Sequence, residues 1–189
     1  MVSLETFYEN VRVLTDNTES SIKVKKQLDK VVIRLPDEEQ FDMVGSIYIG
    51  QRDLMQKFLV KSSIVLRTGD PRNVSVKDGN NFYEICEVLE DSTYVITLVT
   101  DDLVGKSDDY IMGLIAYKFS EWSRLWRKMT EIPNWDSLEN SERIAMVNKL
   151  SHFKFPLGTK EREEYERSVD EEINRLGFSK EVAAYDLKL

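Results

Sequence analysis

The chain has few of the residues on which several common kinds of site depend. Its 189 residues include one cysteine, Cys86, and one histidine, His152. A single cysteine excludes an internal disulfide and a cysteine-rich zinc knuckle. A single histidine excludes a metal site built from several imidazoles. No glycine-rich stretch has the spacing of a phosphate-binding loop, so the common nucleotide-binding motifs are absent too.

Long hydrophobic runs are also missing. No apolar stretch approaches the roughly 18 residues that a membrane-spanning helix needs. The first ten residues, MVSLETFYEN, carry acids where a secretory signal would carry bases. The sequence therefore predicts a cytoplasmic protein with no membrane partner.

Positive charge is in short supply, since 26 Lys and Arg residues face 34 Asp and Glu residues, a net charge of −8. Phosphate backbones repel an acidic chain, which argues against nucleic acid as a partner. One stretch, WSRLWRK at 122–128, interleaves aromatic and basic residues and leaves open a nucleic-acid-associated accessory protein. However, Trp122 and Trp126 share a helical stripe with Phe119, which favours core packing.

The residue patterns that are present predict an α+β fold. Apolar spacing predicts a helix over 3–15, a strand over 31–35 and a helix from 37 to about 58. Further strands are predicted where β-branched and aromatic residues alternate with turn residues, at 62–69, 73–76, 81–89 and 92–100.

These lengths predict three or four antiparallel strands in the middle of the chain. Helical spacing begins at about residue 107 and continues to the end of the chain. We therefore expect a single domain over 1–189, with a helix and strands in 1–106 and a helical half in 107–189.

The first helix of that half contains the stretch DDYIMGLIAYKFSEWSRLW at 108–126. Its apolar frame is typical of helices that carry a zinc-binding HExxH motif. Tyr117 occupies the position of the first histidine, Lys118 that of the catalytic glutamate, and Glu121 that of the second histidine.

Each of these replacements removes a function. A neutral phenol is a poor zinc ligand, and a lysine ammonium repels a cation and cannot accept a proton from water. Only Glu121 could still coordinate a metal. The sequence therefore predicts no zinc, no other cofactor and no catalytic residue at these positions.

A second segment, EYERSVDEEINRLGF at 164–178, contains Glu166 and Asp170 in ExxxD spacing. Together with the HExxH-like frame, it resembles the zinc metallopeptidases of the gluzincin type over roughly residues 93–186. The resemblance implies a zincin-like domain in which Glu166 occupies the position of the third zinc ligand and Asp170 that of its supporting partner. Because the HExxH motif is absent, it implies an inactive homologue.

Several functions stay open on this basis. The resemblance implies a non-catalytic, metallopeptidase-like module that binds a protein or peptide along a sheet edge. An ordinary helical bundle, in which Glu166 and Asp170 are solvated, is the simpler interpretation. A metal-dependent hydrolase with an altered site would use Glu121, Glu166 and Asp170, with His152 as a further candidate ligand. The partner and the oligomeric state are not determined by the sequence.

Overall fold

The computed structural model describes residues 3–35, 44–51, 84–85, 94–139, 142–143, 145–146, 150 and 158–186. The elements in chain order are α1 (Leu4–Asn10), β1 (Arg12–Thr15), α2 (Glu19–Val32), β2 (Val44–Gly50), β3 (Glu84–Ile85), β4 (Tyr94–Val99), α3 (Asp108–Thr130), α4 (Lys160–Leu176) and α5 (Ser179–Asp186). Two short 3-10 turns lie at Thr100–Leu103 and Trp135–Ser137. The predicted strands at 62–69 and 73–76, and both Cys86 and His152, lie outside the described residues.

The described strands form a sheet in the order β1-β2-β4-β3. β1 pairs with β2 and β2 with β4 in parallel, and only the two-residue β3 runs antiparallel to β4. The prediction of a small antiparallel sheet is therefore wrong. The physical reason is the position of α2, which lies between β1 and β2 and supplies the crossover that a parallel pair requires.

The parallel register aligns apolar side chains across the sheet. Two rows of partners cross the three parallel strands, Val13–Ile47–Ile96 and Thr15–Ile49–Leu98. Because side chains alternate between the two faces of a strand, both rows lie on the same face. The isoleucines and the leucine of these rows belong to the hydrophobic core, and Val13 packs against it.

Three local predictions in the first 58 residues are also wrong. The helix predicted over 3–15 ends at Asn10, because Val11 is extended and β1 follows. The helix predicted from 37 to about 58 is wrong over Val44–Gly50, where the alternating isoleucines of β2 fit a strand, and the rest of that range lies outside the described residues apart from Gln51. The strand predicted over 31–35 begins with the last two residues of α2.

Helix α2 keeps two β-branched residues at its end because they are buried. Thr18 caps its N-terminus by accepting a hydrogen bond from the backbone N–H of Ser21. Val24, Leu28 and Val31 follow at helical spacing and are all buried. Burial against the sheet and α3 thus outweighs the preference of valine for strands.

Helix α3 is the central helix and packs against α2, α4 and α5. Ser107 caps it, and two aspartates occupy its first turn, where the helix dipole favours negative charge. Phe119 and Trp122 are fully buried, and the Phe119 ring lies 6.2 Å from that of Phe7 in α1. The described part of the chain contains no helix both long and apolar enough to cross a membrane.

The turn between α4 and α5 is fixed to the rest of the protein by Arg34. Gly177 ends α4 in the left-handed conformation that glycine adopts readily, with φ 75°. The Arg34 guanidinium donates to the Gly177 carbonyl at 2.9 Å and to the Glu181 carboxylate at 2.6 Å. It also lies 4.8 Å from the centre of the Phe178 ring. These contacts hold α5 against the end of α2.

Candidate functional site

The polar residues that resemble a lost metal site lie where α3 packs on α4. We call this contact the α3–α4 seam and define it by its five buried or nearly buried polar side chains. These are Lys118, Glu121, Ser123, Tyr165 and Glu172. Charges and hydroxyl groups inside a helix contact are unfavourable unless they pair, so their partners decide what the seam can do.

Both carboxylate oxygens of Glu121 accept hydrogen bonds from other side chains of the protein. Its side chain is 3% exposed, and its two carboxylate oxygens accept from Lys118 Nζ at 2.6 Å and from Tyr165 Oη at 2.8 Å. The lysine at the position of the catalytic glutamate therefore neutralises the carboxylate three residues later. With both oxygens occupied, Glu121 acts as one half of a buried ion pair.

Tyr117 faces α5 and packs against aromatic and cationic groups. Its ring centre lies 6.1 Å from that of Tyr185 in α5 and 5.4 Å from the Lys118 ammonium. The ring is partly buried against the hydrophobic core. At the position of the first histidine, the protein thus has an aromatic packing residue between two helices.

Glu166 and Asp170 lie on the exposed side of α4. The Glu166 side chain is 49% exposed, and its carboxylate accepts from Arg162 Nε at 2.7 Å. Burial and the neighbouring negative charge of Glu166 both raise the pKa of Asp170. The residue of α4 that reaches Glu121 is Tyr165, one position before Glu166.

Of the five predicted site residues, the structure joins Lys118 and Glu121 in one contact and holds Glu166 with a different partner. Within the described ranges, no group of three or more His, Cys, Asp and Glu residues is arranged to hold a metal ion. The carboxylate set of the hydrolase alternative, Glu121, Glu166 and Asp170, is therefore not assembled as a ligand cluster. The geometry lends this alternative no support.

Glu172 forms a second buried centre in the seam, which sequence reasoning missed. Its carboxylate accepts from Ser123 Oγ at 2.5 Å, from Arg127 at 2.9 Å and from Arg175 at 2.6 Å. Burial acts to raise the pKa of Glu172, but the hydrogen bonds from Arg175, Ser123 and Arg127 outweigh it and lower the pKa. The carboxylate is therefore ionised and links α3 to α4.

The three bases of the 122–128 stretch have partners within the protein. Arg124 lies over the Tyr165 ring at 4.3 Å and donates to Ser168 and to the Leu150 carbonyl. Arg127 pairs with Glu172, and Lys128 pairs with Glu131. Trp122 is fully buried, as the core-packing interpretation expects. The stretch therefore stabilises the seam, and its arrangement does not favour a nucleic-acid interface.

A second cluster of polar groups lies at the carboxyl ends of β1 and β2, where open α/β sheets often bind ligands. The Asp16 carboxylate accepts from the backbone N–H groups of Gln51 at 2.8 Å and Thr18 at 3.1 Å, and from the hydroxyls of Thr18 and Ser21. Burial acts to raise the pKa of Asp16, but these bonds lower it. A Cβ at Gly50 would lie 3.2 Å from Asp16 Oδ2, so glycine permits this approach.

The Asp16 cluster has a structural role. Its hydrogen bonds join the start of α2 to the end of β2, and both carboxylate oxygens are already used. A chemical role would require an oxygen that is free to meet a ligand. In the sequence, this cluster is indicated by Asp16, which lies two residues before the helix cap Thr18 in a common turn pattern.

Comparison with known proteins adds no assignment. No protein-family model matches the chain, and searches of curated proteins and of solved structures find no match. The resemblance to gluzincins thus stays a prediction from the sequence. Any functional conclusion depends on the geometry described above.

Proposed function

We propose that this chain is a non-catalytic module that binds a protein or an extended peptide. The absence of catalysis is supported by the α3–α4 seam, where the buried carboxylates are already hydrogen-bonded to other side chains. The buried carboxylate of Glu121 accepts hydrogen bonds from Lys118 and Tyr165. The buried carboxylate of Glu172 accepts hydrogen bonds from Ser123 and two arginines. Groups already bonded in this way hold helices together and have little capacity left to bind or activate a substrate.

The edge strand β1 supports the binding part of the proposal. Among the described residues, β1 is the end of the sheet and pairs with β2 alone. The Asp16 N–H donates to the Ile49 carbonyl and therefore points towards β2. Because backbone groups alternate in direction along a strand, the N–H groups of Val13 and Thr15 point away from β2. An extended peptide could add to this edge through those groups.

A cytoplasmic location belongs to the same proposal. The single cysteine and the acidic, highly charged composition support it. The partner would then be a protein or peptide of the same compartment, with a segment that can extend along a strand.

Hydrogen exchange of the protein's own amides, measured with a peptide bound, tests this proposal. Peptides that are selected from a display library for binding to the full chain should slow exchange of the Val13 and Thr15 amides in NMR spectra. The Leu14 amide, which points towards β2, should change little and serves as the internal reference. Selected peptides that bind without protecting Val13 and Thr15 would contradict binding at this edge.

A pair of substitutions at one position gives a second check of the same proposal. Thr15→Pro removes the outward N–H, whereas Thr15→Val keeps it and changes the side chain by a similar amount. Loss of one backbone hydrogen bond is worth about 1 kcal/mol. We therefore expect roughly fivefold weaker peptide binding for Thr15→Pro, by isothermal titration, and near-normal binding for Thr15→Val.

A further inference from the structure

The backbone groups on the open side of β1 match those of an identical strand. Among the described residues, β1 pairs with β2 alone, and the N–H and C=O groups of Val13 and Thr15 point away from β2. Each of these residues therefore offers one donor and one acceptor. A second copy of β1, running antiparallel, carries the same donors and acceptors in reverse order.

One antiparallel register uses all of these outward groups. It pairs Val13 of each copy with Thr15 of the other through four backbone hydrogen bonds, and it places Leu14 opposite Leu14 on a two-fold axis. A register that pairs Val13 with itself would place Val11 opposite Thr15. However, the Val11 N–H already donates to the Phe7 carbonyl at 2.8 Å, so this register lacks a donor.

The turn after β1 disfavours the opposite shift. A register that pairs Thr15 with itself would place Val13 opposite Asn17. The backbone of Asn17 has φ 58°, and its N–H donates to Thr15 Oγ1 at 3.1 Å. A residue in this left-handed conformation does not continue a strand. The geometry of β1 and its flanks therefore favours a single register.

The same register brings together residues that attract one another. Arg12 of each copy lies opposite Asp16 of the other, and the partly exposed Leu14 lies opposite its counterpart. These are non-hydrogen-bonded pairs, in which side chains come closest, and opposite charges or apolar groups there stabilise a sheet. Because β1 is already extended, a second copy also avoids the loss of conformational entropy that a flexible peptide undergoes on binding.

We propose that the partner at the β1 edge is a second copy of this chain, which forms a two-fold dimer. This inference rests on the proposed use of that edge and names its occupant. The strand has four residues, so the interface is small and should be populated at protein concentrations on the order of 1 mM. The net charge of −8 opposes association, but at about 0.15 M salt the Debye length of about 8 Å confines this repulsion.

Disulfide cross-linking through position 14 tests the register. In a Cys86→Ala background, Leu14→Cys would place two thiols at a pair whose Cα atoms lie about 4.5 Å apart, which suits a disulfide. Val104→Cys in the same background is the control, since Val104 is 69% exposed and follows β4. Mild oxidation should give about tenfold more covalent dimer for Leu14→Cys, because its thiols are held together. Equal cross-linking of the two variants would overturn the register.

Sedimentation equilibrium of the unmodified full chain gives an independent readout. The average mass should rise from that of a monomer towards that of a dimer as the protein concentration increases. Thr15→Pro removes one outward N–H from each copy, so it should weaken the dimer about 25-fold, or about fivefold for each lost bond. Thr15→Val should dimerise like the unmodified chain. A mass that stays monomeric up to about 1 mM would overturn the second copy as partner.

Failure of this inference can be told apart from failure of the proposed function. If the chain stays monomeric while a selected peptide protects the Val13 and Thr15 amides, the edge binds peptides and the second copy is excluded. If the chain stays monomeric and selected peptides bind without protecting these amides, both the dimer and the binding edge are contradicted.

Discussion

Replacing Gly113 with alanine should lower the free energy of unfolding by about 3 kcal/mol, the upper part of the range for overpacked cores. A Cβ at this position would lie 2.1 Å from the Glu181 carbonyl oxygen and 3.0 Å from the Tyr185 Cβ. The first of these atoms belongs to the α5 backbone, so relief requires α5 to move away from α3. Urea unfolding followed by circular dichroism would measure the change.

The direction of this effect makes it informative. Inside an exposed helix, replacing glycine with alanine stabilises a protein by about 1 kcal/mol, because alanine has the higher helix propensity. Gly105→Ala is a suitable comparison, since Gly105 has φ 77° and, among the described residues other than its chain neighbours, no atom lies within 4 Å of the position of a Cβ. It should cost only the 1–2 kcal/mol or so of the left-handed conformation. A Gly113→Ala protein as stable as the original would contradict the close contact of α3 and α5.

Replacing Glu172 with alanine is the second substitution with a large expected effect. It removes the buried carboxylate that accepts from Ser123 and is shared by Arg127 and Arg175. Breaking a buried ion pair costs about 3–5 kcal/mol, and the partial exposure of both arginines places our expectation at about 3 kcal/mol. Thermal and urea unfolding at neutral pH would measure it.

The same substitution should change the response to acid. The folded pKa of Glu172 is lowered, so its contribution is complete above the unfolded pKa, about 4.3, and is lost as the pH falls through the folded pKa. The difference in stability between the two proteins should therefore shrink below about pH 4. Glu171→Ala, at the exposed neighbouring position, should change stability by less than about 0.5 kcal/mol at any pH. Similar losses for Glu171→Ala and Glu172→Ala would contradict the seam.

Local patterns of the sequence predicted helices in the second half and a strand where β4 lies, but not β1, β2 or the parallel pairing of the sheet. Strand pairing joins residues far apart in sequence, and β1 and β2 are short segments next to helical patterns. Val11 to Thr15 continue the apolar spacing of α1, so no local signal separates the strand from the helix. The parallel arrangement follows from burial of α2 against the strands, which propensity does not encode.

The seam shows a similar division. Lys118 and Glu121, which the resemblance placed at lost metal-site positions, are three residues apart on α3 and form an ion pair with each other. The resemblance assigned Glu166 to the contact, whereas Tyr165 makes it. Tyr165 and Val169 share the buried stripe of α4, and one residue along a helix turns the side chain by about 100°. Because Tyr165 lies on the buried stripe, the side chain of Glu166 points away from α3 and is exposed to solvent.

Metal analysis of the unmodified full chain tests the central claim that Glu121 is paired with Lys118 and Tyr165 and forms no metal site with Glu166. After dialysis against zinc or manganese, we expect no bound metal that depends on Glu121 or Glu166, and no change in thermal stability. Glu121→Gln and Glu166→Gln proteins, treated identically, would identify any such dependence. One equivalent of metal that stabilises the protein and disappears in both variants would contradict the account.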